Sequence, residues 1–485
     1  MVPDLADDGL RRAPGAWRAL VAWLRSLSAD QRDCLLYAMS ALFAGVTAVA
    51  ASIPLYREWG RLAVGPYVAG ALLMAVVAHR RRRATAASPS GTVNGPGWRA
   101  ARLVAFSIVL LGATVVPLAL EVTWATHGDA SLHVQPEVLV VERAGIRAAH
   151  GHDPYQVVDR NGHILIRQNT VPVYELYYPY LPGMVIFGFS SGSKVEARLT
   201  DARIQFLLFT VVVALIALSR VRPSSDARTR SFQALTALPT AALPLATGGD
   251  DMPVVALMLL GLVALQRRRP VLAGLALGAA STLKFTAWPV VFLALFAATD
   301  RERRRAVGRY VVAVGVLVVP VVFPVALHNP SAFIDNVIRF PLGLAGVASP
   351  AASALPGHEL VATFPAIHRP YVITVTLVGL IILTRYLWRR PPKDAAGVAS
   401  VTGWVMLVAI LLAPATRVGY LLYPINLFLW AWMFRRAEDP ADLEPAPDGD
   451  GGGEAQLPSG VSNTSTEYGV DPRGVVGETT TPVSQ

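Results

Sequence analysis

The 485-residue sequence has one cysteine, Cys34. That excludes a disulfide framework and a thiol-ligated metal site. Charge is sparse: 16% of residues are Asp, Glu, Lys or Arg, against about a quarter in soluble domains. Lysine is nearly missing. Lys194, Lys284 and Lys393 are the only lysines among 43 basic residues, and the arginines lie in short clusters between apolar runs. This is the positive-inside pattern of membrane proteins, not a nucleic-acid surface. No phosphate-binding loop, dinucleotide fingerprint, nucleophile elbow or kinase motif occurs, so nucleotide-driven and serine-hydrolase chemistries have no support. The first 32 residues are polar and arginine-bearing, without the pattern of a cleavable signal peptide.

What the chain does have is apolar sequence. It is 53% hydrophobic with a net charge of +10 and a mean hydropathy of +0.45. Apolar runs long enough to cross or nearly cross a bilayer recur along most of its length, and they do not alternate as barrel strands do. The expected class is an all-α polytopic membrane protein with about eleven spans. To these are added a short re-entrant hairpin at 270–298, broken around Lys284 to Pro289, and an interfacial or re-entrant piece at 177–191. The organisation read from composition is a cytoplasmic N-terminal segment (1–32), an accessory transmembrane hairpin (33–79) turning at Tyr56 to Arg61, a cytoplasmic linker (80–101) and a transmembrane body (102–436). An acidic, Gly/Pro/Ser/Thr-rich tail (437–485) with the composition of a disordered segment follows. Placing Arg80–Arg83, Arg267–Arg269 and Arg435–Arg436 inside makes both termini cytoplasmic. Glu121 then emerges on the outer face, and the loops 121–180 and 328–370 are extracytoplasmic.

The loop 121–180 is the most polar stretch between spans, and it gathers with the Gly248-Gly249-Asp250-Asp251 turn and the Pro414–Arg417 turn on one face. Such a gathering suits sugar transfer from a lipid carrier. That reaction needs a carboxylate to take the proton of the attacking hydroxyl, a cation for the departing phosphate and an apolar seat for the lipid. Glu137 is the first choice of base, because it follows Pro136 and opens the helical stretch EVLVVERAGIRAAHG. Asp129 and Asp153 are its rivals, each with the plainer reading of an exposed loop acid or turn residue. Glu142 falls on a different face. Lys284 stands at membrane depth, where an ionisable group is a functional candidate unless it snorkels. Arg417 is the second cation, or an interfacial anchor beside Tyr420 and Tyr423. Asp250 and Asp251 are candidates for the acceptor sugar or merely a solvated turn, and as metal ligands they are a weak signal. Tyr155 and Tyr178, in a series with Tyr174, Tyr177 and Tyr180, would stack on sugars or form an aromatic belt. The histidines show no metal spacing, so a divalent metal is possible in such a site but not indicated.

Three stretches carry a family resemblance. They are Gly151-His152-Asp153-Pro154-Tyr155 followed by Tyr178-Pro179-Tyr180-Leu181-Pro182, the run RRRPVLAGLALGAASTLKFTAWPVVFL at 267–293, and RVGYLLYPI at 417–425. In order and spacing the chain resembles the GT-C integral membrane glycosyltransferases, and most closely family 87, the polyprenol-phosphate-mannose-dependent α-mannosyltransferases of actinobacteria. The resemblance implies a GT-C-like helical body in the plasma membrane and an extracytoplasmic site. It implies a polyprenyl-phosphate-sugar donor, a glycolipid or polysaccharide acceptor of the cell envelope, and inverting transfer. It also places an acidic base upstream of the Gly-x-Asp-Pro-Tyr signature, roughly where Glu137 stands, although the family usually has Asp there. The hairpin 33–79 is a second departure from the family pattern. The high ratio of Arg to Lys and the Ala/Gly richness suit a high-GC actinobacterium. A transporter or lipid flippase is the alternative; it would favour inverted repeats and midplane charges, and no convincing repeat is seen.

Overall fold

The computed structural model describes residues 26–87, 96–127, 130–155, 172–192, 197–221, 225–297, 303–345 and 349–437, with a few isolated positions besides. Asp129, Lys194 and the tail beyond residue 437 lie outside the described residues.

The described chain is helical, with one isolated bridge between Ala352 and Thr416. Helix α1 (Ala29–Ala50) starts at a capping box. The Ser28 side chain accepts from Gln31 N and the Gln31 side chain accepts from Ser28 N, satisfying two otherwise orphaned donors. Helix α2 (Pro54–Ala87) has 34 residues, about 51 Å at the α-helical rise, well beyond the ~30 Å hydrocarbon layer. It absorbs Tyr56–Arg61, which the composition suggested as a turn, into its first turns. Pro54 opens this helix, where its missing N–H goes unused.

Helices α3 (Pro96–Leu110) and α4 (Val116–His127) are joined by a π-helical segment, Leu111–Val115, into one spanning unit. The wider turn frees a carbonyl for an outside donor: the Trp59 indole donates to Ala113 O at 2.9 Å. Glu121, expected to emerge at the outer face, is fully buried instead. Its carboxylate meets His133 Nδ1 at 2.9 Å.

Helix α5 (Pro136–Ala149) packs on the 3₁₀ segment Pro182–Gly192. Their contact is backbone on backbone. A Cβ at Gly145 would stand 2.2 Å from the Gly188 carbonyl carbon, and one at Gly188 would stand 2.3 Å from Val141 O. The piece at 177–191 is thus wedged against α5.

Then follow α6 (Ala202–Ser219), α7 (Ser225–Thr236), α8 (Pro239–Thr247), α9 (Asp251–Gln266), α10 (Pro270–Leu283), α11 (Trp288–Ala297) and α12 (Arg303–His328). After the loop come α13 (Pro356–Thr363), α14 (His368–Arg389), α15 (Ala395–Leu412) and α16 (Leu422–Ala437). The break around Lys284 is real: α10 ends there, a 3₁₀ turn Phe285–Ala287 follows, and α11 restarts at Trp288. Apolar on every side, α9 is the buried centre of the bundle. Helix α14 is its opposite, with no buried residue; an apolar helix facing lipid loses nothing by this.

Among the described residues, seven helices are long and apolar enough to cross a membrane, and four shorter apolar ones accompany them. The eleven full spans expected from sequence are therefore not all full-length helices. The stretch 232–247, for example, is divided between α7 and α8, with α8 starting at Pro239.

The hairpin of α1 and α2 docks along its length. At one end Asp33 accepts from Arg230 at 2.5 Å, Arg102 at 2.7 Å and Gln233 at 3.0 Å. Midway, Tyr67 Oη donates to Ala237 O at 2.6 Å.

Candidate functional site

The site lies at the ends of α2, α5, α9, α10 and α16 remote from the arginine clusters. The spanning helices show the polarity: α2 runs to Arg80–Arg83, α9 has Asp251 in its first turn and runs to Arg267–Arg269, α10 starts directly after that cluster, and α16 runs to Arg435 and Arg436.

Glu137 occupies the first turn of α5 behind Gln135 as N-cap and Pro136 as first helical residue. A carboxylate is favoured there by the helix dipole, by about 0.3–1 kcal/mol. One carboxylate oxygen is in ion-pair contact with Arg417. The other, Oε2, is buried and has no hydrogen-bond partner. Arg417 sits on a segment pinned by backbone pairing. Ser353 N donates to Thr416 O at 2.9 Å, and Thr416 N donates to Ala351 O at 2.8 Å. Burial works against the Arg417 charge and is the largest single influence on it, but the Glu137 carboxylate together with the Tyr420, Tyr56 and Tyr180 phenols outweighs it and holds the guanidinium above its ordinary pKa.

The second half is built on the Gly248–Asp251 turn and the helix break at Lys284. Gly249 has φ +89°, a region that favours glycine. A Cβ on Gly248 would stand 2.2 Å from Gln135 Oε1. The two glycines therefore turn the chain and admit the Gln135 side chain. The turn delivers Asp250 and Asp251 to Lys284, whose Nζ donates to Asp250 Oδ2 at 2.8 Å and Asp251 Oδ1 at 2.5 Å. Asp251 Oδ1 also accepts from Tyr423 Oη at 2.5 Å, and Tyr423 accepts from Thr286 Oγ1 at 2.7 Å. Lys284 and both acids are buried. The solvated turn is thus replaced by a buried ionic network, and the lysine does not snorkel.

Tyr180 and Tyr420 join the halves. Lys284 Nζ lies 5.2 Å from the Tyr180 ring centroid and 5.7 Å from that of Tyr420, within cation–π range. Both phenols are also close enough to Arg417 to influence its charge. Glu137, Arg417, Asp250, Asp251 and Lys284 thus surround one pair of tyrosines.

The other sequence candidates are elsewhere. Asp153 Oδ1 accepts from Tyr155 N at 2.8 Å in a turn, and its backbone carbonyl accepts from Arg147 Nη2 at 2.9 Å. Its Oδ2 is buried without a partner. Tyr155 and Tyr178 are packed rings, 0% and 2% exposed, with centroids 5.4 Å apart. Tyr155 Oη donates to Tyr180 O at 2.6 Å. Neither ring offers a free face to a sugar in this arrangement. Glu142 accepts from Ala202 N at 3.0 Å, on a face of α5 away from Glu137. Tyr56 and Gln135, which sequence reasoning passed over, do adjoin the site. The N-cap position of Gln135, just before Pro136-Glu137, was the readable signal.

Beside the ionic cluster lies a cavity of about 840 Å³, lined mainly by apolar side chains such as Phe189, Phe209, Leu257 and Val321, with His152, Asp153 and His328 also on its wall. Pro182 and Gly183 line it directly after Tyr180–Leu181, and Thr282 and Leu283 directly before Lys284. Leu181 N donates to Leu283 O at 3.0 Å, joining the two strips. One thin wall therefore separates the apolar cavity from the charges. Among the described residues no group of three or more His, Cys, Asp or Glu is placed to hold a metal ion.

The chain belongs to glycosyltransferase family 87, whose sequence profile matches residues 195–440, half of its length. Among solved structures it is similar to the crystal structure of ArnT from Cupriavidus metallidurans bound to undecaprenyl phosphate. The TM-score is 0.43 at 18% identity, and the match covers 71% of this chain and 61% of that one. No curated protein matches.

Proposed function

We propose that this protein transfers a sugar, with mannose the first candidate, from a polyprenyl-phosphate donor to a glycolipid or polysaccharide acceptor of the cell envelope. The observation that carries the reading is the meeting of Glu137, Arg417 and the Lys284–Asp250–Asp251 network in a chain of glycosyltransferase family 87. By the positive-inside rule the arginine-bearing helix ends face the cytoplasm. The site then opens to the extracytoplasmic side of the plasma membrane, and both termini lie inside.

Glu137 Oε2 is the free acceptor for the proton of the attacking hydroxyl. The acceptor hydroxyl oxygen attacks the anomeric carbon as the bond from this carbon to the phosphate oxygen breaks. The bonding pair leaves with the polyprenyl phosphate, and a single displacement inverts the anomeric centre. Arg417 is the cation nearest the base and serves the leaving phosphate. Lys284, engaged by two carboxylates, sets the field of the site and holds the helix break in place. The adjoining apolar cavity supplies the seat for the isoprenoid chain.

The test is transfer from radiolabelled polyprenyl-phosphate-mannose to endogenous acceptors in membranes carrying wild type or Glu137→Gln at equal expression. Labelling by wild type alone supports the class and the base. Equal labelling by both moves the base to another acid, Asp129 or Asp153. Labelling by neither rejects mannose as the donor sugar, and polyprenyl-phosphate-arabinose is the next substrate.

A further inference from the structure

The N-terminal hairpin reaches the site. Tyr56, in the first turns of α2, accepts a hydrogen bond of 2.6 Å from Gln135 Nε2. The same amide nitrogen donates to Thr247 Oγ1 at 3.0 Å. Gln135 N donates to Thr247 O at 3.1 Å. Both amide hydrogens and the backbone N–H of Gln135 are thereby used, and Gly248 leaves the space its carbonyl end occupies. Gln135 is the N-cap of α5, and Glu137 follows two residues later across Pro136, whose ring fixes the backbone between them. Whatever fixes Gln135 therefore fixes the start of the helix that carries Glu137. Tyr56 is in the right place for this: Arg417, Glu137, Tyr420 and Asp250 are the charged and phenolic groups that bear on its hydroxyl. The family 87 profile begins at residue 195, so neither Tyr56 nor Gln135 lies within the matched region.

We propose that Tyr56 of the N-terminal hairpin is a positioning residue for Glu137, acting through Gln135. The hairpin is then a working part of the site and not only an addition to the membrane body. This rests on the reading of Glu137 as the base.

The experiment compares Tyr56→Phe, Gln135→Leu, the double variant and Tyr67→Phe in membranes of the full chain, with donor and acceptor concentrations varied separately. A displacement of about 1 Å at a reacting group costs on the order of 100-fold in rate. Tyr56→Phe is therefore expected to lower kcat by about 10- to 100-fold, with KM for both substrates within about threefold. Gln135→Leu should do the same, and the double variant should be no worse than the more damaging single one, because the two residues act in one chain. Tyr67→Phe, on the same helix as Tyr56, removes the hydroxyl contact to Ala237 O between α7 and α8 and should leave turnover at the wild-type level. That control separates positioning from simple loss of hairpin packing.

Wild-type kcat in Tyr56→Phe overturns the proposal. So does a rise in KM for one substrate with kcat unchanged, which would make Tyr56 a substrate contact. Multiplicative losses in the double variant overturn it as well. Glu137→Gln measured alongside keeps the two ideas apart. If it turns over like wild type, the base assignment fails; if it is inactive while Tyr56→Phe is normal, only the positioning role fails.

Discussion

Replacing Lys284 by Met tests whether its charge belongs to the fold or to the substrate. In the resting structure its ammonium lies 2.8 Å from one carboxylate and 2.5 Å from another, and all three groups are buried. Removing one partner of a buried ion pair costs about 3–5 kcal/mol, because the partner left behind is an uncompensated charge. Here two adjacent acids are left, so the upper part of that range applies. It corresponds to roughly 1,000-fold or more in the unfolding equilibrium at ~1.4 kcal/mol per decade. The assay is unfolding of the purified protein in mixed micelles at increasing SDS fraction, read by tryptophan fluorescence. Lys284→Met should unfold at clearly lower SDS. Lys284→Met with Asp251→Asn should recover about half of the loss, and the triple variant that also carries Asp250→Asn should come close to wild type, since replacing a whole buried ionic group by neutral ones is often near-neutral. Activity alone cannot decide the point, because a phosphate-binding lysine would also be essential. Wild-type stability in Lys284→Met would refute the reasoning and return Lys284 to the role of donor-phosphate ligand.

Two further outcomes follow from α5. Burial raises the Glu142 carboxyl to about 7 from its ordinary 4.5, against the opposing hydrogen bond from Ala202 N. Between those values the folded chain holds a proton that the unfolded chain has lost, so stability falls as pH rises through this window and levels off above it. The loss is on the order of 3 kcal/mol. Glu142→Gln, followed by unfolding between pH 4.5 and 8, should flatten the slope; an unchanged slope would place the titrating group elsewhere. Gly145→Val forces a side chain into the Gly188 backbone and should destabilise by about 1–3 kcal/mol or more, with wild-type stability disproving the close contact.

Much of the bundle was legible because membrane spans announce themselves by length and apolarity, and because arginine clusters mark one set of helix ends. The helix break at Lys284 was readable for the same reason, as a lone lysine beside a Trp-Pro start in an apolar run. Glu137 was legible as an acid following a proline at a helix start, and the structure places it against Arg417. The pairing itself was not legible, since Glu137 and Arg417 are 280 residues apart and each alone reads as an interfacial charge. Asp250 and Asp251 looked like a solvated turn because sequence shows the glycines and acids but not the lysine that another helix delivers to them. Tyr56 was lost to a wrong boundary: a polar stretch after Ser52-Ile53-Pro54 reads as a turn, yet the proline opens a helix. Tyr155 and Tyr178 read as sugar-facing because periodicity cannot tell an aromatic cluster packed inward from one facing a cleft.

On the proposed reaction, the charge arithmetic of the site gives Arg417 a role that neither a phosphate clamp nor an acid's partner has by itself. At rest its guanidinium is matched by Glu137 through one oxygen, and the other oxygen of that carboxylate is unpartnered. When Glu137 takes the proton of the attacking hydroxyl, its negative charge disappears. In the same step a negative charge grows on the departing phosphate. The net charge around Arg417 is therefore conserved through the step, and the cation only exchanges one anion for another in a place where burial makes an unmatched charge expensive. Such an exchange favours the transition state over the resting complex, because there Arg417 serves both anions at once while neither is fully formed. Lys284, held by two acids on the far side of Tyr180 and Tyr420, keeps its own charge balanced throughout. It need not compete for the phosphate, and the mobile anion is steered to Arg417 alone.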